Sequence, residues 1–123
     1  MKSFFAWIKE WQEQRKVTVR TRKTTPAEIN AINRAASRST SSGELAELAK
    51  SKFVSVRCKV AVNPNISIET FLELAKDKKV VVRESLIYNK KTPEEIIIIL
   101  TKDEDEVVRQ LAESRLKNRM KMI

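Results

Sequence analysis

Histidine is absent from this chain of 123 residues, cysteine and glycine occur once each, and proline occurs three times. Each scarcity excludes something. Without histidine, and with Cys58 alone, there is no ligand set for a structural zinc site and no internal disulfide. No base is identifiable that would activate Cys58 as a nucleophile. A single glycine excludes glycine-rich phosphate loops. So few backbone breakers also argue against an all-β chain with many tight turns, and for helices. Long apolar runs are missing too: none approaches the roughly 20 residues that span a bilayer. "MKSFFAWIKEW" begins like a signal peptide, but Lys9 and Glu10 cut its apolar stretch short and no small-residue cleavage site follows. With one thiol and no disulfide framework, the expected location is the cytoplasm.

What is present is charge and aliphatic side chain. Apolar residues make up 41% and charged residues 33%, a balance that suits a folded or repeat protein rather than a disordered one. The net charge of +9 is uneven. Residues 1–40 carry nine Lys/Arg against three Glu, a surplus of 6, while residues 41–123 carry sixteen against thirteen, a surplus of 3. The basic character therefore sits mainly in the N-terminal third.

Self-similarity is the strongest signal. Arg57, Arg83 and Arg109 are spaced 26 residues apart, and so are Leu48/Leu74/Leu100, Leu45/Phe71/Ile97 and Val56/Val82/Val108. The units are 41–66, 67–92 and 93–118, without insertions. Each reads as two short helices. The first has apolar residues at i and i+3 (Leu45/Leu48, Phe71/Leu74, Ile97/Leu100), the second at i and i+4 (Val56/Val60, Val82/Leu86, Val108/Ala112). Thr92-Pro93-Glu94-Glu95 predicts a helix start with Thr92 as the capping residue. "NPN" (63–65) and "NKKT" (89–92) predict the turns after the second helices. A leucine-rich repeat would need an L-x-L strand, which no unit has. Upstream, 26–40 fits half a unit and predicts a capping helix over about 26–38. Stacked repeats need such caps because each unit exposes an apolar face to its neighbour.

The stretches "FLELAKDKKVVVR" (71–83) and "AVNPN" (61–65) resemble the HEAT-like α-helical repeats, most closely their leucine-rich repeat variant type. The likeness covers about 41–118. It implies a ladder between neighbouring repeats built from Arg57, Asp77, Arg83, Asp103 and Arg109, with Ser51 standing where the first aspartate would be. Arginine recurring inside an apolar run reads as scaffold, its donors satisfied between layers. The expected fold is all-α: a short right-handed α-solenoid of three two-helix repeats plus tail (41–123), with a capping half-repeat (26–40), a basic connector (16–25) and an amphipathic N-terminal helix (1–15).

Function is sought where the chain departs from the repeat. In register, Ile96 replaces Glu44 and Thr70, and Ile99 replaces Glu47 and Glu73, so the two predict an apolar stripe on a face that should meet water, either open to a partner or covered by the C-terminal "LKNRMKMI" or the N-terminal helix. Phe4, Trp7, Ile8 and Trp11 form one face of a helix, and with Phe5 this segment holds four of the seven aromatics. Tryptophan is a favoured interface anchor. The expectation is a non-enzymatic adaptor, without cofactor or metal, that binds another protein or a second copy through Phe4, Trp7, Ile8, Trp11, Ile96 and Ile99. The alternative is a nucleic-acid or ribonucleoprotein binder using the basic arm 15–23, with Arg15, Lys16, Arg20, Arg22 and Lys23 against phosphates. Arg115, Lys117, Arg119 and Lys121 raise the same question at the other end. The acidic run "DEDE" (103–106) suits a helix N-terminus better than acid–base work, and Cys58 aligns with Glu84 and Gln110, a polar helix position.

Overall fold

The computed structural model describes Ser3, Phe4, Ala6 and residues 23–121, with side chains as far as 118. Among these residues all regular structure is α-helical, in seven helices beyond the N-terminal segment: α1 Pro26–Ala36, α2 Ser42–Leu48, α3 Val54–Ala61, α4 Ile68–Leu74, α5 Val80–Tyr88, α6 Glu94–Leu100 and α7 Glu106–Lys121. The described residues are therefore all-α. No helix of the described residues is long and apolar enough to cross a membrane.

Local chemistry starts the helices. Thr25 Oγ1 accepts the Glu28 N–H at 3.2 Å, with Pro26 following at a position that needs no donor. Ser41 and Ser67, 26 residues apart, cap α2 and α4 by accepting the N–H groups of Glu44 and Thr70 at 3.2 and 3.3 Å. The same position in the third unit is Pro93, which caps α6 without a side-chain bond. Thr92 is thus not the capping residue expected from its sequence. It is buried, and its hydroxyl donates back to the Leu86 carbonyl at 2.5 Å. Thr40 does the same to the Arg34 carbonyl, also at 2.5 Å. The 26-residue register places Thr92 with Thr40, one residue before the cap.

Helices of seven residues are too short to persist alone, so burial of one face must hold them. Helix α1 packs on α3, α3 on α5 and α5 on α7, while α2, α4 and α6 each pack on the helix that follows. The expected core residues all turn inward: Val56/Val60, Val82/Leu86 and Val108/Ala112 from the second helices, with Leu45, Phe71, Leu74, Ile97 and Leu100 from the first. Leu48 is half-buried against them. Burying each large aliphatic contributes about 1.5–3 kcal/mol. Ile96 corrects an expectation. It is 0% exposed and belongs to this core, as does Thr70 in the same register position. Ile96, Ile97 and Leu100 form a stripe wide enough to take in i, i+1 and i+4. Isoleucine where the second unit has threonine therefore adds apolar volume inside.

The turns after the second helices are closed by a repeated device. Asn63 Nδ2 donates to the carbonyls of Ala35 and Ser37 at 2.8 and 2.9 Å. Asn89 does the same, 26 residues on, to Ala61 and Asn63 at 2.9 and 3.0 Å. Arg115 takes the third place, with Nη1 donating to the carbonyls of Ile87 and of Asn89, the latter at 2.7 Å. Each asparagine oxygen then accepts an N–H two residues ahead, from Asn65 and Lys91, both at 2.9 Å. Carbonyls at a helix C-terminus have no intrahelical donor, and here a side chain from the next unit supplies one. Asn89→Ala would strand two buried carbonyls and should destabilise the protein by about 1–3 kcal/mol, read from urea denaturation. Asn65→Ala, on the surface, should change stability by less than about 1 kcal/mol.

Candidate interaction surfaces

The repeated arginines are the first candidates for a binding face, and their geometry assigns them to the framework. Arg57 Nε and Nη2 donate to the Asp77 carboxylate at 2.7 and 3.3 Å, and its Nη1 donates to the Ser51 carbonyl at 2.8 Å. Arg83 repeats this with Asp103 at 2.8 and 3.1 Å and with the Asp77 carbonyl at 2.6 Å. Arg109 Nη1 donates to the carbonyls of Asp103 and Glu104 at 2.7 and 3.0 Å. Arg57 and Arg83 therefore each join their own turn to an aspartate 20 residues ahead, in the following helix pair. Asp77 serves both neighbours, its carboxylate to Arg57 and its carbonyl to Arg83.

The Arg83–Asp103 pair is the deeper of the two, each side chain being 6% exposed. Burial alone would push the Asp103 carboxyl up. The hydrogen bonds from Arg83 and from the Asp105 N–H, with the positive charges of Arg83 and Arg109, outweigh it and hold Asp103 below the usual carboxylate range. The Asp103 bond in turn raises Arg83 against its own desolvation. Beside the ladder, Cys58 is half-buried rather than at a fully solvated position. Burial pushes its thiol up, with the Ser85 hydrogen bond opposing. A thiol shifted in that direction is less nucleophilic near neutrality.

The exposed apolar surface differs from the one expected. Ile99 is on it, 45% exposed, but Ile96 is not. Its companions are Ile98 and Leu72, 47% and 39% exposed, with Ile68 one turn before Leu72. Leu72 and Ile98 are 26 residues apart and so occupy the same position on α4 and α6. Periodicity misses this pair because each directly follows an inward residue, Phe71 or Ile97. Of the N-terminal candidates, Phe4 is helical and exposed, and Ser3 Oγ accepts the Ala6 N–H at 3.2 Å. Trp7, Ile8 and Trp11 lie outside the described residues, as do Arg15, Lys16, Arg20 and Arg22. Lys23, the last cation of the basic arm, is exposed.

Grooves cross the described surface, three of which bear on the candidate residues. Two, of about 300 and 400 Å³, follow the ladder, lined by Arg83, Asp103 and Glu104 and by Arg57, Asp77 and Lys78. The third, of about 410 Å³, lies at the opposite edge among the turns that follow α1, α3 and α5. No group of three or more potential metal ligands occurs among the described residues. Set beside protein-family models, curated proteins and solved structures, the chain matches none.

Two outcomes follow from the ladder. Arg83→Ala would leave the Asp103 charge buried without its partner and should destabilise the protein by about 3–5 kcal/mol, whereas Arg83→Met combined with Asp103→Leu should recover most of that loss; urea denaturation of the three chains checks it. Because Asp103 is ionised to lower pH when folded than when unfolded, its contribution is complete above its unfolded pKa of about 3.9 and is lost as pH falls through the lower folded value. Asp103→Asn should accordingly flatten the fall in urea midpoint below about pH 4.

Proposed function

We propose that this protein is a non-enzymatic interaction scaffold: a short right-handed α-solenoid of three two-helix, HEAT-like repeats behind a capping half-repeat at 26–40. It presents an apolar strip to a protein partner or to a second copy of itself. The solenoid reading is supported by the arginine and asparagine bonds recurring at 26 residues and by the successive packing of α1, α3, α5 and α7. The scaffold reading is supported by composition, which supplies no histidine and no phosphate loop, and by a ladder whose Arg57 and Arg83 donors are engaged internally.

One observation carries the binding reading: Ile68 and Leu72 on α4 and Ile98 and Ile99 on α6 are all exposed. Exposed apolar side chains at a shared register in successive units commonly mark a contact surface. Phe4, Trp7 and Trp11 would add aromatic anchors, and Ile8 an aliphatic one, to the same recognition. Replacing both exposed isoleucines in the full chain, as Ile98→Lys with Ile99→Lys, should keep helicity and melting temperature while weakening self-association or partner binding at least about tenfold. Sedimentation velocity and crosslinking pull-down read the two. If this variant and a chain lacking residues 1–15 both keep the oligomeric state and the partner set of the parent, the scaffold reading fails.

A further inference from the structure

The edge opposite the arginine ladder has a different chemistry from the rest of the molecule. The turns after α1, α3 and α5 are residues 37–41, 62–67 and 89–93, and none contains an aspartate or glutamate, although Glu44, Glu69 and Glu94 stand in the first turn of the helix that follows each. They contain Arg38, Lys90 and Lys91, all exposed. At the ladder edge, by contrast, Lys50, Lys52, Lys76, Lys78, Lys79 and Lys102 are interleaved with Asp77, Asp103, Glu104 and Asp105. A polyanion meets carboxylates there and none in the turns of the other edge.

The three cations line the groove of about 410 Å³ together with Val62, Pro64, Tyr88 and Asn89. Val62 and Tyr88 share a register position, so the aromatic ring lies one unit along from the valine. Tyr88 is 61% exposed, and its hydroxyl makes one long contact of 3.4 Å with the Glu84 carboxylate. Its face is thus not taken up by the core.

Two further features suit an anion. Helix C-termini repel phosphate through their unpaired carbonyls, but here Asn63, Asn89 and Arg115 donate to the carbonyls of residues 35, 37, 61, 63, 87 and 89. The same bonds hold the turns that carry the cations. Asn65 Nδ2 binds the Arg38 carbonyl at 2.6 Å, the Lys91 N–H is held by Asn89, and Arg115 Nη2 reaches the Lys90 carbonyl at 3.4 Å. The site is built on fixed backbone with long side chains projecting from it.

We propose that this groove binds single-stranded nucleic acid, with Arg38, Lys90 and Lys91 on the phosphates and a base stacked on Tyr88. An unpaired strand fits better than a duplex because stacking on a lone side chain needs a base face that pairing and neighbours do not cover. The site uses none of the residues assigned to the basic arm 15–23 or to the exposed aliphatics of α4 and α6, so it goes beyond the scaffold reading and does not depend on it.

The test is fluorescence anisotropy of the full chain with a labelled oligothymidylate of about twenty nucleotides. Tyr88→Ala should weaken binding about tenfold and Tyr88→Phe should leave it unchanged. Arg38→Gln/Lys90→Gln/Lys91→Gln should weaken it at least about tenfold. Three phosphate contacts also predict about a twentyfold loss between about 50 and 200 mM salt. Variants neutralised at Arg15, Lys16, Arg20, Arg22 and Lys23 should retain the Tyr88 dependence. Absence of binding at low salt overturns the proposal. So does binding that ignores Tyr88, or that polyglutamate of equal charge competes away, either of which makes the edge a general polyanion surface. Binding lost only with the arm variants overturns it too, by moving the site to the arm. Helicity and melting temperature of each variant guard against unfolding, which these exposed positions should not cause.

Discussion

Arg83 reaches in two directions at once. One nitrogen holds the carbonyl of the turn before its own helix, and the other edge of the guanidinium holds a carboxylate in the next helix pair. With both Arg83 and Asp103 almost wholly shielded from water, neither can exchange its partner for solvent without leaving a buried charge. A helix pair cannot slide or rotate against its neighbour without breaking that bond, so the ladder sets the register in which the apolar faces meet. Seven-residue helices need that alignment, because they have no stability of their own to fall back on.

The second set of bonds, at the other edge, answers a different constraint. Helices that end against a neighbour present carbonyls in places where water has poor access, and a side chain from the following unit must supply the donor. Asn63 and Asn89 do so with neutral amides, and Arg115 does so with a guanidinium. One edge thus contains Arg57 and Arg83 bound to carboxylates. The other has its carbonyls closed and carries Arg38, Lys90 and Lys91 on turns that themselves contain no acid. This division separates framework charge from charge that can face a ligand.

Much of the framework is legible in spacing. Arginine at 57, 83 and 109 inside apolar runs points to a scaffold role, and the helix pairs follow the apolar positions that predict them. The direction of the ladder cannot be read the same way. Asp77 is near Arg83 in sequence, yet its carboxylate serves Arg57, because the turn between helices points the aspartate back along the stack. Ile96 shows the limit more sharply. Its register partners are a glutamate and a threonine, which suggest a wet position, but Thr70 is itself buried, its hydroxyl lying 3.2 Å from that of Ser67. A polar residue whose hydrogen bond is made locally can sit inside, and residue type alone does not reveal that.

What the sequence determined by itself was the period, the helix pairs, the inward positions at i+3 and i+4, and the recurrence of the arginines. All of these depend on recurrence along the chain. Only the tertiary structure decided which side of each helix is covered, which aspartate each arginine takes, and that Tyr88, Arg38, Lys90 and Lys91 share one groove. Those residues are up to 53 positions apart, from Arg38 to Lys91. They meet because stacking superimposes turns from successive units, and that juxtaposition exists only once the helices have packed.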